Sequence, residues 1–83
     1  MEMKYVSMYT LSTCPWCFKT KRFFSEHNIK FTYIDYDTAE EDVQKKILEE
    51  VDAYGATGFP FVKIDGVIIV GYQPKLYLSA LGI

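Results

Sequence analysis

Cys14-Pro15-Trp16-Cys17 stands between an apolar run and a stretch with helical character, and this narrows the folds open to the chain more than any other feature. The residues before it, Lys4 to Thr10, are rich in Tyr, Val and Met and read as a strand. Their near-continuous apolarity predicts a central strand buried on both sides. Pro15 fits the first position of a helix, where its fixed φ is an advantage and its missing N–H no loss. A helix over Pro15 to His27 follows, with Ser12 and Thr13 as candidate N-caps and Asn28 as its stop. His27 in its last turn suits the negative end of the helix dipole.

The rest of the chain is punctuated as clearly. Lys30 to Tyr36 alternates with β-branched and aromatic residues and predicts a second strand. Thr38-Ala39-Glu40-Glu41 has the capping-box pattern, and Val43, Ile47, Leu48 and Val51 behind it give an amphipathic helix. The acidic run Glu40 to Asp42 suits a helix start; Glu49, Glu50 and Asp52 read as a solvated face. Tyr54 to Gly58 is a loop. Phe61 to Ile64 and Val67 to Val70 flank Asp65-Gly66, a two-residue hairpin signal. Pro74 opens a short helix carrying Leu76, Tyr77, Leu78 and Leu81, and Gly82 closes it. Tyr5, Tyr9, Tyr33 and Tyr36 are expected to pack on the sheet. The order β-α-β-α-β-β-α predicts one α/β domain over residues 1–83. Its first two strands are parallel, the hairpin adds two antiparallel ones, and helices cover both faces of a mixed four-stranded sheet. The cysteine pair then lies at the carboxyl end of the first strand, where open α/β sheets place their sites.

Bulk properties exclude several function classes. With 83 residues and 49% hydrophobic content, one small domain can bury a core. A net charge of −2 argues against nucleic acid as the main partner, since phosphates call for clustered Lys and Arg. No segment approaches the ~20 apolar residues of a membrane span. Residues 1–11 lack the pattern of a signal peptide, so a cytoplasmic, monomeric protein is expected.

The chemistry rests on the two cysteines, the only two in the chain. Cys14 at a helix start meets unpaired N–H groups and the positive end of the dipole, worth roughly 0.3–2 kcal/mol to an anion. It is the expected nucleophile. Cys17, one turn on, lies on the same face and deeper; it is the expected resolving thiol. The two would cycle through a Cys14–Cys17 disulfide with no bound cofactor and no metal. Three blander roles compete. A structural staple across so short a loop would contribute only about 2 kcal/mol. A zinc half-site would need ligands beyond His27, so a zinc-linked or protein-binding module requires a second chain. Incidental buried thiols would not need Pro15 and Trp16 between them. Trp16, exposed in the turn, is a candidate partner contact, with covering the cysteines as its simpler role. Lys19 reads as a solvated charge. Tyr72 is a candidate wall of a substrate groove.

At these residues the sequence resembles the glutaredoxins of the thioredoxin superfamily. Their Cys-Pro-Tyr-Cys is matched with Trp16 in place of Tyr, and their Thr-Val-Pro by Gly58-Phe59-Pro60. The spacing on to Asp65-Gly66 and Gly71 also agrees. The resemblance covers the whole chain and implies the thioredoxin/glutaredoxin fold and thiol–disulfide oxidoreductase activity. It further implies a cis Phe59–Pro60 peptide beside Cys14, and substrate contacts at Pro15, Trp16, Phe59, Pro60, Gly71 and Tyr72. Thr13 and Lys21 become candidates for tuning the thiols; Lys is common at the position of Lys21 in that family. Glutathione-dependent members usually carry a Lys shortly before the first cysteine and Gly-Gly-x-Asp after the fourth strand. Here Leu11-Ser12-Thr13 and Val70-Gly71-Tyr72-Gln73 stand there instead. Val70-Gly71-Tyr72-Gln73-Pro74 is more similar to the Ser-Gly-Phe-Arg-Pro of NrdH-redoxins, with Gln73 for Arg and Lys75 for the following Asp. That likeness implies a small dithiol electron carrier. Its reductant would be a thioredoxin-reductase-type enzyme, with glutathione as the alternative. Its acceptors would be protein disulfides such as that of ribonucleotide reductase.

Overall fold

The computed structural model describes residues 5–56 and 58–83. Lys4, the first residue of the expected opening strand, and Thr57 of the expected loop lie outside them. The elements run β1 (Val6–Thr10), α1 (Pro15–Glu26), β2 (Phe31–Asp35), a 3-10 turn (Tyr36–Thr38), α2 (Glu41–Tyr54), β3 (Phe61–Ile64), β4 (Val67–Val70) and α3 (Pro74–Leu81). The strands form one sheet in the order β2-β1-β3-β4. β1 pairs parallel with β2 and antiparallel with β3, and β3 pairs antiparallel with β4.

Period-two alternation sends the strand side chains to two different layers. Val6 and Met8 of β1, Val62 and Ile64 of β3 and Ile69 of β4 pack with Phe23 and Phe24 of α1 and Tyr77 and Leu81 of α3. On the other face Phe61, with Tyr9, Ile68 and Val70 beside it, meets Ile47 and Val51 of α2. The Asp65-Gly66 turn forms as expected, with both residues at positive φ (47° and 86°) as a type I′ turn demands. Asn28, at φ 56°, ends α1 as expected.

Several local expectations are corrected. β1 is central in the sheet, but only alternate residues are fully buried; Ser7 and Tyr9 are half-buried, and Tyr9 packs beside the α2 cluster. β2 is an edge strand, so Tyr33 and Ile34 are exposed. Tyr5 is exposed as well and reaches the Thr32 hydroxyl (3.4 Å) rather than packing on the sheet. The capping box does not form. Thr38 closes the 3-10 turn by donating to the carbonyl of Asp35 (3.3 Å), and Glu40 becomes the N-cap of α2 without a side-chain bond. Leu48 is turned to solvent because the Ile47–Val51 stripe takes the contact with the sheet. Among the described residues no helix is long and apolar enough to cross a membrane.

Candidate active site

The turn between β1 and α1 is held from outside. Ser12 donates its backbone N–H to Asp37 Oδ1 (2.8 Å) and its hydroxyl to Asp37 Oδ2. These bonds, the side-chain one foremost, hold the Asp37 carboxyl below its ordinary range. Ser12 is therefore not free to cap α1, and Thr13 is exposed, its side chain making no hydrogen bond among the described residues. The N-cap is Cys14 itself. Its backbone is extended (φ −88°, ψ 115°), and its Sγ accepts the N–H of Cys17 at 3.3 Å. A sulfur stands where helices usually place an oxygen, and the amide that would satisfy an oxygen is directed at it.

Both cysteines are free thiols in this structure. Cys14 is half-buried and Cys17 fully buried, as the spacing predicted. Burial pushes the Cys17 thiol up to about 12. The bond to Cys14 and the Cys14 charge add to that, while the backbone of Leu11 and the charge of Lys21 offset part of it. The pair is thus asymmetric: Cys17 is buried and keeps its proton, while the half-buried Cys14 sulfur accepts an N–H at the helix start. Lys21 sends its ammonium mainly to Asp35 (3.3 Å), where Thr10 also donates (2.5 Å), and over the ring of Tyr33 (3.8 Å). Its pull on Cys17 is the weakest of those named.

The remaining candidate residues fall into two groups. Trp16 is 54% exposed and stacks against Tyr72 at 6.0 Å between ring centroids, with the Lys19 ammonium 4.6 Å from its own. Lys19 is therefore more than a solvated charge. Phe59 stacks on Tyr36 (5.6 Å), and the Phe59–Pro60 peptide is cis. Pro60 is buried, and its carbonyl accepts the N–H of Gly71 at 2.8 Å. That bond ties the cis-proline segment to the loop after β4, where Gly71 adopts φ 88°, a value that suits glycine.

A buried link that residue types alone do not announce runs beneath these segments. Tyr77 and Thr20, both 0% exposed, place their hydroxyl oxygens 3.3 Å apart. Tyr77 donates to the carbonyl of Gly71, and Thr20 donates to that of Trp16 (2.9 Å). Burial drives the Tyr77 phenol above its ordinary range, so it stays a donor at all physiological pH. Through these two hydroxyls the Cys-Pro-Trp-Cys turn and the Gly71 loop are fixed to the same point of the core. Thr20, Tyr77, Asp35 and Asp37 were not singled out from the sequence. Only Thr20, a polar residue on the apolar face of α1, carried a local signal.

His27 caps no catalytic group; its Nδ1 lies 2.8 Å from the Phe23 carbonyl and its ring against Phe23 (4.3 Å). This is the helix-end contact the sequence indicated. Among the described residues no group of three or more His, Cys, Asp or Glu side chains converges on a metal-sized site.

Comparison with known proteins agrees with this geometry. The glutaredoxin family model matches residues 6–69. An uncharacterized glutaredoxin-like 8.6 kDa protein in the rubredoxin operon of Clostridium pasteurianum is 34% identical over 68 residues, covering 82% of this chain and 85% of that one. Among solved structures, the glutaredoxin of Methanosarcina mazei Go1 is 32% identical with a TM-score of 0.87, over 100% of this chain and 85% of its own. The methanoredoxin of Methanosarcina acetivorans is 31% identical with a TM-score of 0.84, over 95% of this chain and 85% of its own. The NrdH-redoxin of Escherichia coli superposes with a TM-score of 0.77 over 90% of this chain and 92% of its own; at 23% identity it shares the fold alone.

Proposed function

The chain belongs to the glutaredoxin family, and from that premise we propose that it is a dithiol electron carrier that reduces protein disulfides. The observation that carries this reading is the asymmetric pair: a half-buried Cys14 sulfur receiving a helix N-terminal amide, and a buried, protonated Cys17 one turn behind it. The Cys14 thiolate attacks one sulfur of the substrate disulfide. A Cys14–substrate disulfide forms and the other substrate sulfur leaves as a thiolate. Cys17 then loses its proton and attacks Cys14 Sγ, which expels the second substrate thiol. Two electrons have passed to the substrate; the proton released by Cys17 and a second taken from solvent complete its two thiols, and the protein holds a Cys14–Cys17 disulfide. Once Cys14 is in the mixed disulfide, its charge no longer opposes ionisation of Cys17, so the second step is eased by the first.

A thioredoxin-reductase-type enzyme is the proposed source of electrons, and ribonucleotide reductase a fitting acceptor. The absence of a Lys before Cys14 and of an Asp after Gly71 supports this, because a tripeptide with charged ends lacks its usual anchors. Glutathione is the alternative reductant, favoured by the names of the relatives at 31–34% identity, which are glutaredoxins, a glutaredoxin-like protein and a methanoredoxin. NADPH-driven reduction of insulin separates the two. Turnover with thioredoxin reductase but not with glutathione and glutathione reductase supports the proposed carrier; the reverse pattern overturns it in favour of the glutathione route. Cys14→Ser should abolish turnover, and Cys17→Ser should trap the mixed disulfide in a non-reducing gel. Turnover by Cys14→Ser would sink the assignment of the nucleophile.

A further inference from the structure

Beside the dithiol lies a groove with more positive charge than its own residues cancel. It is a depression of about 260 Å3 lined by Lys19, Arg22 and Glu26 of α1 and by Tyr72 of the loop after β4. Lys19, Arg22 and Glu26 follow one another at helical spacings of three and four, so they rise along one face of α1 above Trp16. Its aromatic wall is Tyr72, and Trp16 of the cysteine turn stacks on that ring just outside the depression. Among the described residues Lys19 has no carboxylate partner, and its ammonium rests over Trp16. Arg22 reaches Glu26 at 3.6 Å, but that pair is open to water (77% and 62% exposed), which makes it weak. Two cations against one carboxylate leave the groove at +1, while the whole chain carries −2.

Resting on the disulfide-reductase reading above, we propose that this groove docks an acidic segment of the protein substrate beside its cystine. Lys19 and Arg22 hold Asp or Glu side chains, and an apolar side chain of the same segment lies against Trp16 and Tyr72. The reach is consistent. Lys19 and Arg22 lie about 7 and 12 Å along the helix from Cys14, at ~1.5 Å per residue. An extended peptide covers ~3.3 Å per residue, so acids two to four residues from the attacked sulfur meet the two cations. Charge at such a rim selects partners and speeds their encounter more than it adds affinity. A partner with basic residues at those places is repelled instead.

Three disulfide peptides test this, identical except for Glu, Gln or Lys at the second to fourth positions from the cystine. The quantity read is the ratio of kcat/KM for the Glu peptide to that for the Lys peptide, within each protein. The natural chain should favour the Glu peptide by about tenfold at low salt, and less as salt rises. Lys19→Gln with Arg22→Gln should bring the ratio near one, and Lys19→Glu with Arg22→Glu should invert it. A ratio that these substitutions leave unmoved overturns the proposal. So does a variant that is slowed on a glutathione mixed disulfide while keeping its preference among the peptides, because the groove would then serve a small thiol. Reduction of a neutral aromatic disulfide by the natural chain tests the parent reading separately. Its failure would remove disulfide reduction itself, whereas its success with an unmoved peptide ratio removes only the groove.

Discussion

The two faces of the sheet differ in how they treat polar groups. On the α1/α3 face, Val6, Met8, Phe24, Ile64 and Tyr77 are at most 1% exposed; of the hydroxyls enclosed there, those of Thr20 and Tyr77 each donate to a carbonyl of the active-site segments and that of Thr10 to Asp35. On the α2 face fewer of the described side chains are fully buried. Its polar cluster (Lys63 to Glu50 at 2.5 Å, Tyr9 to Glu50 at 2.6 Å) sits at the rim, part-buried, and touches none of the residues around the dithiol. Thiol exchange needs two sulfurs and a substrate-binding loop at fixed separations. The site is accordingly anchored on the face where packing is dense and every buried donor is committed.

This contrast can be broken most severely at Phe24, fully buried between Phe23, Phe31 and Tyr77. Phe24→Ala should cost about 3–5 kcal/mol. The milder Ile47→Val on the α2 face should cost roughly 0.5–1.5 kcal/mol. Urea unfolding measures both; a Phe24→Ala loss no larger than that of Ile47→Val would show that the α1/α3 core is loosely packed.

Tyr77→Phe sharpens the comparison with one atom. It leaves the part-buried Gly71 carbonyl without its donor, a loss of about 1 kcal/mol. If the hydroxyl positions the loop, KM for a protein disulfide should rise while the rate of Cys14 alkylation by iodoacetamide stays as it was. A fall in stability with KM unmoved would mean that Tyr77 only fills the core.

The smallest effect is expected at Glu50. Burial pushes its carboxyl up, but the bonds from Lys63 and Tyr9 outweigh that and hold it below the ordinary value. A carboxyl lowered on folding stabilises above its unfolded pKa of ~4.3 and loses that contribution as pH falls through the folded value. Glu50→Gln should therefore cost about 0.5–1 kcal/mol at neutral pH, discounted for its exposure, and the gap from the natural chain should close in acid. Disulfide turnover should not change. A gap that widens in acid would mean that the sign of the linkage is wrong.

Much of the fold was legible because the local signals agreed with one another. Asp65-Gly66 between two four-residue apolar runs could only be a tight hairpin, and Pro15, Asn28, Pro74 and Gly82 mark helix ends where they were expected. Caps were the weak point. Ser12 and Thr38 are both good N-cap residues, yet one is taken by Asp37 and the other by a 3-10 turn. The first competitor is invisible locally, since Asp37 is 25 residues from Ser12; the second lies only three residues from Thr38. The edge position of β2 was equally hidden, because alternation looks the same in a strand with one neighbour as in a strand with two.

The sequence by itself determined the order of elements, the helix start at the cysteines and the chemistry the pair can do. Those rest on spacing, on proline and glycine, and on the sulfur at a helix end, all contained within a few residues. Tertiary structure alone decided that Thr20 and Tyr77 fix the cysteine turn and the Gly71 loop to one point of the core. It also decided that Lys19, Arg22 and Tyr72 share one groove, with Trp16 stacked on Tyr72 beside it. Each of these depends on groups far apart in the chain meeting across the packed layers, where burial fixes their charge and their hydrogen bonds.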